Sequence, residues 1–466
     1  MTLSASDVAD LAKLDLRLMR AEDLKGRDPG FDPGNFDAGI AVCPKSTADV
    51  VAIVACCAAK GISIVPHGGR TGLAGGAESS PGQLVVMMDK MNVIREIDAA
   101  SCLAVVDAGV TLSQLEEEVG KHGLTVGIDL AARGSCTIGG MVATNAGGSE
   151  AFRNGVMRQR ILGLEVVMPD GSVMSDLKRV IKANEGYDIK HLFIGSEGTL
   201  GIVTGVVLKL EAATGARKTI LAAAPDASSA LSFFQRLHHA YGTKLLTAEI
   251  MWRDYFQNTL KALNFERRFG NLVGEVLVIF EFDNIEDEDA LLEILSQSLE
   301  AEEISDALLA KNEQERIDIW AVREETFLID KMFPGGCWFD ISIPLNKLDA
   351  FVRESSARLH ALDPKLGIYV MGHLGDGNLH YSIAKDTPVN HRYTEISAAL
   401  YQGLSEIGGS FSAEHGIGVE KREALAKFGD PAKLALMGAI KNAIDPQNIM
   451  NPGKLMCRQS AERDLV

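Results

Sequence analysis

The period of apolar positions switches repeatedly along this chain, from helical spacing to short unbroken runs and back. Ser4 to Leu24 places apolar residues at helical spacing among charged ones, and the loop GRDPGFDPGN follows. Residues 1–37 therefore predict one amphipathic helix and a loop. From Ala41 the pattern changes. STADVVAIVACCAAKG has a cap at Ser46, helical spacing and a glycine stop at Gly61. ISIVPHGG, QLVVMMD and CLAVVDAGV predict strands, and TLSQLEEEVGKHG a capped helix. Gly127 to Gly148 is glycine-rich and reads mostly as loop, before the strands ILGLEVVMPDG and GTLGIVTGVVLKL. This mixture predicts an α+β or α/β domain over 38–212.

A second pattern starts near Lys218. KTILAAAP, LLTAEIM and EVLVIFEF read as strands, with helices at ASSALSFFQRL and DEDALLEILSQSL. A helix around Ile317 to Met332, the strand WFDISIP, a helix after Pro344 and the strands GIYVMGH and LHYSI follow. Strand–helix–strand–strand–helix–strand is the ferredoxin-like order, so 213–410 predicts a substrate-binding cap domain. Residues 411–466 read as mainly helical and are expected to return to the first domain.

Composition narrows the function. A chain of 466 residues implies two or three domains. A net charge of −17 argues against nucleic acid, which needs a basic surface. The seven cysteines, Cys43, Cys56, Cys57, Cys102, Cys136, Cys337 and Cys457, contain no C-x-x-C pair. That argues against an iron–sulfur cluster or zinc finger and for reduced thiols. No signal peptide or membrane span is apparent, so a soluble cytoplasmic protein is expected.

Three segments carry chemistry. PHGGRTGLAGG, Pro66 to Gly76, follows a strand and can turn several backbone N–H groups towards a phosphate. It matches neither the Rossmann fingerprint nor the P-loop, and a mobile surface loop is the alternative. GIDLAARGSCTIGGMVATNAGG is long and glycine-rich, yet Ile138, Met141 and Val142 suit burial against a flat ligand. LFIGSEGTLGIVT reads as strand, turn and strand.

In this order and spacing the three segments resemble the FAD domain of the vanillyl-alcohol oxidase/PCMH flavoproteins. The resemblance implies an α+β fold: a PCMH-type FAD-binding domain, a ferredoxin-like cap and a helical C-terminal segment. It implies that Gly68, Gly69, Arg70, Thr71, Gly72 and Gly76 wrap the FAD pyrophosphate through backbone N–H groups, with Pro66 also in the cofactor set. Asp129, Gly134, Ser135, Ile138, Gly139, Gly140, Asn145 and Gly148 would line the flavin and ribityl side. Gly195, Glu197, Gly198, Gly201 and Ile202 would lie near the adenine half, and Asn451 joins the cofactor set. His67 precedes the glycine pair, and relatives with this loop bind FAD non-covalently.

The sharpest constellation is YVMGHLGDGNLHYSI. His373 ends one strand and His380 begins the next across a hairpin turn. Cross-strand neighbours lie about 5 Å apart, so both rings can reach one metal. SAEHGIGVEKR adds Glu414 and His415. Two His and a carboxylate suit zinc or another divalent metal. Packed or surface histidines are the alternative, and His122, His191, His238 and His239 read that way.

GHLGDGNLH and AEHGIG resemble the C-terminal domain of FAD-linked D-2-hydroxyglutarate, D-lactate and glycolate dehydrogenases. This implies metal ligation by His373, His380 and Glu414, a catalytic base at His415, and an Asn378 that hydrogen-bonds the substrate or orients the site. Arg323, with Thr326 one turn on, would hold the substrate carboxylate; Arg70 is a weaker candidate. Trp338 stands where 2-hydroxyglutarate dehydrogenases tend to carry a Lys, which implies a more apolar hydroxy acid. The expected function is oxidation of a D-2-hydroxy acid by an FAD-dependent dehydrogenase. Its electrons would leave to an electron-transfer flavoprotein, quinone or cytochrome, and a homodimer is expected. The alternatives are an oxidase using O₂, a zinc hydrolase, or a non-catalytic flavin-binding subunit. The last predicts a missing ligand or base, and all four candidates are present.

Overall fold

The computed structural model describes residues 3–456, and the chain folds as two compact units. Of the described residues, the first comprises 3–148, Gly155–Ala213 and 414–456; the second comprises Ser149–Asn154 and Thr214–Ala413. Cys457 lies outside the described residues. Among those residues no helix is long and apolar enough to cross a membrane.

Two sheets organise the first unit. One runs in the order Arg17–Arg20, Ile40–Cys43, Gln83–Met87, Ser63–His67, and its last three strands are parallel. Helix Thr47–Lys60 crosses between two of them, capped by Ser46 and stopped by Gly61 at φ +67°. The other is antiparallel, in the order Ile94–Asp98, Leu103–Asp107, Ile202–Lys209, Ile161–Val167, Val173–Asp176. The C-terminal segment returns to the parallel sheet, where Ile64 N–H donates to Ile449 O and Asn451 N–H to Ile64 O.

Two expectations are corrected here, and a third is refined. The N-terminal helix is only Ala5–Ala12; Asp15 turns left-handed at φ +54°, and Arg17–Arg20 pairs as an edge strand that buries Met19. Sheet pairing overrides the local helical spacing. The stretch 127–148 is mostly loop, as expected, and contains one helix, Ile138–Thr144, capped by Thr137. Its two glycines disfavour helix, but burial of Ile138, Met141 and Val142 in the core outweighs them. LFIGSEGTLGIVT begins as the short helix Lys190–Phe193 and not as a strand, turning at Gly195 with φ +82°.

The second unit is built on one antiparallel sheet. Its elements are β1 (Arg217–Ala224), α1 (Ala227–Tyr241), β2 (Leu245–Trp252), α2 (Arg253–Leu263), β3 (Val276–Asp283), α3 (Glu288–Glu300), β4 (Asp306–Leu309), α4 (Glu313–Glu324), β5 (Cys337–Ser342), α5 (Leu348–Leu362), β6 (Gly367–His373), β7 (Asn378–Ala384) and α6 (Tyr393–Tyr401). The helix expected over Ile317 to Met332 is broken, since α4 ends at Glu324 and a separate turn spans Leu328–Met332.

The sheet order is β4-β1-β3-β2-β6-β7-β5. β1 to β4 form one ferredoxin-like set. β5, α5, β6 and β7 add most of a second, fused where β2 pairs with β6. One face packs Met251, Met371, Leu277 and Ile279 against Tyr255 and Phe256 of α2 and Ile319 and Val322 of α4. This face also carries the polar groups described next.

Candidate functional site

In the first unit, the first glycine segment leaves the end of strand Ser63–His67 and meets the second segment backbone to backbone. A Cβ on Gly69 would lie 2.0 Å from the Ser135 carbonyl oxygen, and one on Gly68 2.4 Å from Thr137 Oγ1. Only glycine allows that approach. Arg70 and Gly75 adopt φ of +58° and +72°, which curls the loop. Among the described residues, none accepts a hydrogen bond from the backbone N–H groups of Gly68 to Ala77. A curled run of uncommitted donors fits a pyrophosphate, and so fits FAD.

The other expected cofactor residues divide by what they touch. Asn451 Nδ2 donates to Gly76 O at 3.0 Å and Glu197 O at 2.8 Å, tying the first segment to the third. Glu197 accepts from the Ile417 and Gly418 N–H groups, each at 2.8 Å. Burial raises its carboxyl pKa against those two bonds. Asn145 Oδ1 accepts from Arg158 N–H at 2.9 Å, and Asp129 pairs with Arg133 at 2.7 Å. Ile138 and Ile202 point into the core, Gly139 N–H donates to Ala108 O, and Gly201 and Gly148 lie close on Val166 and on the Asp129 backbone. Arg70 stacks over Phe36. His67 is buried with Nε2 2.7 Å from Ala77 O, and burial pushes its pKa down to about 3. The ring is therefore neutral.

In the second unit the site is written across the strands in two rows. Glu249 of β2 lies opposite His373 of β6, which lies opposite Asn378 of β7, which lies opposite Ser342 of β5. In the next row Met251 faces Met371, then His380, then Asp340. Directly paired residues point to one face, so all these side chains share it. His373 and His380 are thus diagonal neighbours and not a directly opposed pair as the hairpin reading assumed. Their ring centroids are still only 5.6 Å apart.

Two carboxylates organise this face, and sequence reasoning missed both. Glu249 Oε1 accepts from His373 Nδ1 and Oε2 from Arg323 Nε, each at 2.7 Å. Burial opposes its ionisation, but its partners His373 and Arg323 prevail and hold its pKa below the usual carboxylate value. Asp340 Oδ1 accepts from Asn378 Nδ2 at 2.8 Å and lies 3.8 Å from His380 Nδ1. Asn378 Nδ2 also donates to Ile341 O, so the amide nitrogen is committed to holding Asp340. The available signal was a lone acid inside an apolar strand, in LLTAEIM and in WFDISIP.

Arg323 is buried at the end of α4, and Nη1 and Nη2 donate to no described residue. Thr326 is not one helical turn on. α4 stops at Glu324, and Thr326 N–H folds back onto Glu324 O at 2.8 Å. Trp338 lies two residues before Asp340 on the same face, opposite Ser382, with its ring 6.0 Å from Phe327. The chain reaches Glu414 from Ala413, whose N–H donates to Asp340 Oδ2 at 3.0 Å. Glu414 and His415 open the stretch assigned to the first unit, and His415 Nε2 lies 3.8 Å from Glu414 Oε1.

Comparison with known proteins agrees with both halves. A family described as FAD linked oxidases, C-terminal domain, matches residues 214–455, and an FAD binding domain matches 38–176. A D-2-hydroxyglutarate dehydrogenase of Xanthomonas citri pv. viticola is 33% identical over 421 residues, covering 88% of each chain. A mitochondrial D-2-hydroxyglutarate dehydrogenase of Arabidopsis thaliana is 33% identical over 89% of this chain and 74% of its own. A putative mitochondrial D-lactate dehydrogenase of Schizosaccharomyces pombe is 33% identical over 92% and 86%. Among solved structures, p-cresol methylhydroxylase has a TM-score of 0.76 at 17% identity, covering 97% of this chain and 96% of that one. Alkyldihydroxyacetonephosphate synthase has a TM-score of 0.66 at 20% identity, over 89% and 77%. At such identities these two speak for the fold alone, which is α+β with a PCMH-type FAD-binding domain. The class is that of the FAD-dependent oxidoreductases acting on CH–OH donors. Within it, the chain belongs to the FAD-linked oxidase family, among the flavin-dependent 2-hydroxyacid dehydrogenases.

Proposed function

We propose that this enzyme oxidises a D-2-hydroxy acid to the 2-oxo acid with non-covalent FAD and a divalent metal. The observation that carries the reading is the two-row polar face of the second unit, with Arg323 beside it. A neutral, buried His67 bound to Ala77 supports non-covalent attachment. The metal reading rests on the chemistry of the donors. Asp340, His380, Glu414 and His415 offer carboxylate and imidazole atoms of the kind zinc takes, and the His373 ring lies 5.6 Å from that of His380. One peptide bond, about 3.8 Å between Cα atoms, separates Glu414 from the residue hydrogen-bonded to Asp340. His373, His380 and Glu414 would hold the metal, with Asp340 as a further ligand or as the partner of His380.

When bound, FAD supplies the acceptor for the hydride from Cα, and the metal supplies a Lewis acid for the α-hydroxyl. The chain does the rest. Arg323 presents Nη1 and Nη2 to the substrate carboxylate as a two-pronged grip. His415 takes the hydroxyl proton on a ring nitrogen. Asn378 fixes Asp340, and Trp338 with Phe327 gives the neighbouring surface an aromatic character. That character favours an apolar side chain on the substrate over a second carboxylate. The relatives named D-2-hydroxyglutarate dehydrogenase make the dicarboxylate the competitor to test.

An anaerobic screen of D-lactate, D-mandelate, D-malate and D-2-hydroxyglutarate for loss of flavin absorbance tests this. Fastest bleaching by D-lactate or D-mandelate is expected. Fastest bleaching by D-2-hydroxyglutarate overturns the role given to Trp338, and no bleaching by any overturns the function.

A further inference from the structure

The buried carboxylate of Glu249 has two oxygens, and each is used by a group with a separate task. Oε1 takes the Nδ1 proton of His373, and Oε2 takes the Nε proton of Arg323, both at 2.7 Å. The residue is 1% exposed and sits in the middle of the sheet, on β2, directly opposite His373. We infer that Glu249 is the positioning residue that fixes a metal-ligand histidine and the carboxylate-binding arginine against each other. The inference rests on the metal and the carboxylate grip of the proposed function and goes one step behind them.

The geometry leads there directly. An imidazole that donates Nδ1–H to a carboxylate has its tautomer set and its rotation stopped, and Nε2 becomes the nitrogen presented to a metal. A guanidinium anchored through Nε keeps its two terminal nitrogens as a parallel pair for an incoming carboxylate. One carboxylate doing both sets the distance between the place where the α-oxygen is held and the place where the carboxylate is held. Those are adjacent groups of a 2-hydroxy acid, so a fixed spacing selects for that acid over a 3-hydroxy isomer.

The same sheet face contains its own control. Glu281 of β3 is also fully buried and also pairs with arginines: Arg217 at 2.6 Å and Arg316 at 3.0 Å, with Thr219 and Trp320 as further donors. Arg316, Trp320 and Arg323 recur at helical spacing along α4, so the helix is held to the sheet by both glutamates. Glu281 touches neither histidine among its described partners. It is matched to Glu249 in burial and charge, and differs in what its partners do.

The test is a titration of metal-free holoprotein with zinc alone, for wild type, Glu249→Gln, Glu249→Asp and Glu281→Gln. Glu249→Gln is expected to weaken zinc about 10- to 100-fold, and Glu281→Gln to leave zinc affinity at the wild-type value. Glu249→Asp, which keeps the buried charge, covers the case in which the Gln variant does not fold, and should weaken zinc by a smaller factor. At saturating zinc, Glu249→Gln should also raise KM for the substrate that bleaches the flavin fastest, with kcat less affected. Zinc affinity in both folded Glu249 variants equal to wild type overturns the inference, as does an equal loss in Glu281→Gln. Wild-type protein that takes up no zinc overturns the metal reading itself, and the inference with it. The two failures are therefore told apart by the wild-type titration.

Discussion

Around Gly68–Ala77 the first unit offers a ligand little but peptide N–H groups, whereas the second unit offers imidazoles, carboxylates, an amide and a guanidinium on one sheet face. The first arrangement works by leaving side chains out. Gly68 and Gly69 let two loops touch, and the donors stay uncommitted. The second works by committing almost everything. Glu249, Asp340 and Asn378 spend their hydrogen bonds on neighbours so that a few atoms remain fixed. A backbone-built site tolerates changes of charge and fails on added volume. A side-chain-built site tolerates small changes of volume and fails on lost charge or lost orientation.

The largest effect that sharpens this contrast is His415→Ala. Flavin reduction by substrate should slow about 10²- to 10⁴-fold with FAD still bound, followed by anaerobic stopped-flow absorbance. An unchanged rate removes His415 from the chemistry. Next is Gly69→Ala, which adds one carbon 2.0 Å from a carbonyl oxygen. FAD affinity should fall by about two orders of magnitude, as a strained contact of some 3 kcal/mol implies. Zinc affinity should hold. A variant that retains flavin at wild-type affinity breaks the backbone half of the comparison.

Trp338→Lys should shift preference towards D-2-hydroxyglutarate by up to about fivefold in kcat/KM, the size of a single exposed charge interaction gained. No shift would show that Trp338 does not face the substrate. The smallest effect is on stability. His67 is neutral when folded, with a pKa of about 3, and takes a proton near 6.5 when unfolded. Between those values the unfolded state binds more protons, so stability falls as pH drops through that window. The loss should reach about 2 kcal/mol by pH 5 and vanish in His67→Gln. Urea unfolding at pH 7 and pH 5 measures it, and equal pH dependence in both proteins refutes it.

The contrast also explains what the sequence revealed. Glycine clusters are local, so the loops after Ser63–His67 and around 134–148 were legible as clusters, and their order led to the fold. His373 and His380 stood out because a short hairpin keeps them close in sequence. Glu249 and Asp340 did not, because each is a single acid in an apolar strand and its meaning lies on a neighbouring strand. Their roles appear only when the register is known. The N-terminal strand Arg17–Arg20 was hidden for a similar reason: its partner Ile40–Cys43 supplies the evidence for it.

The seam between β2 and β6 has a consequence for how the protein matures. Glu249 and His373 are 124 residues apart and belong to different ferredoxin-like sets. Neither set alone contains the pair. The contact requires both sets to be folded and paired edge to edge, and so non-local a pairing is slow to form. A metal bound as proposed would gain its full hold only with the sheet whole. A chain stalled with only the second set folded would present His373 unbraced by Glu249 and would hold the proposed metal more weakly.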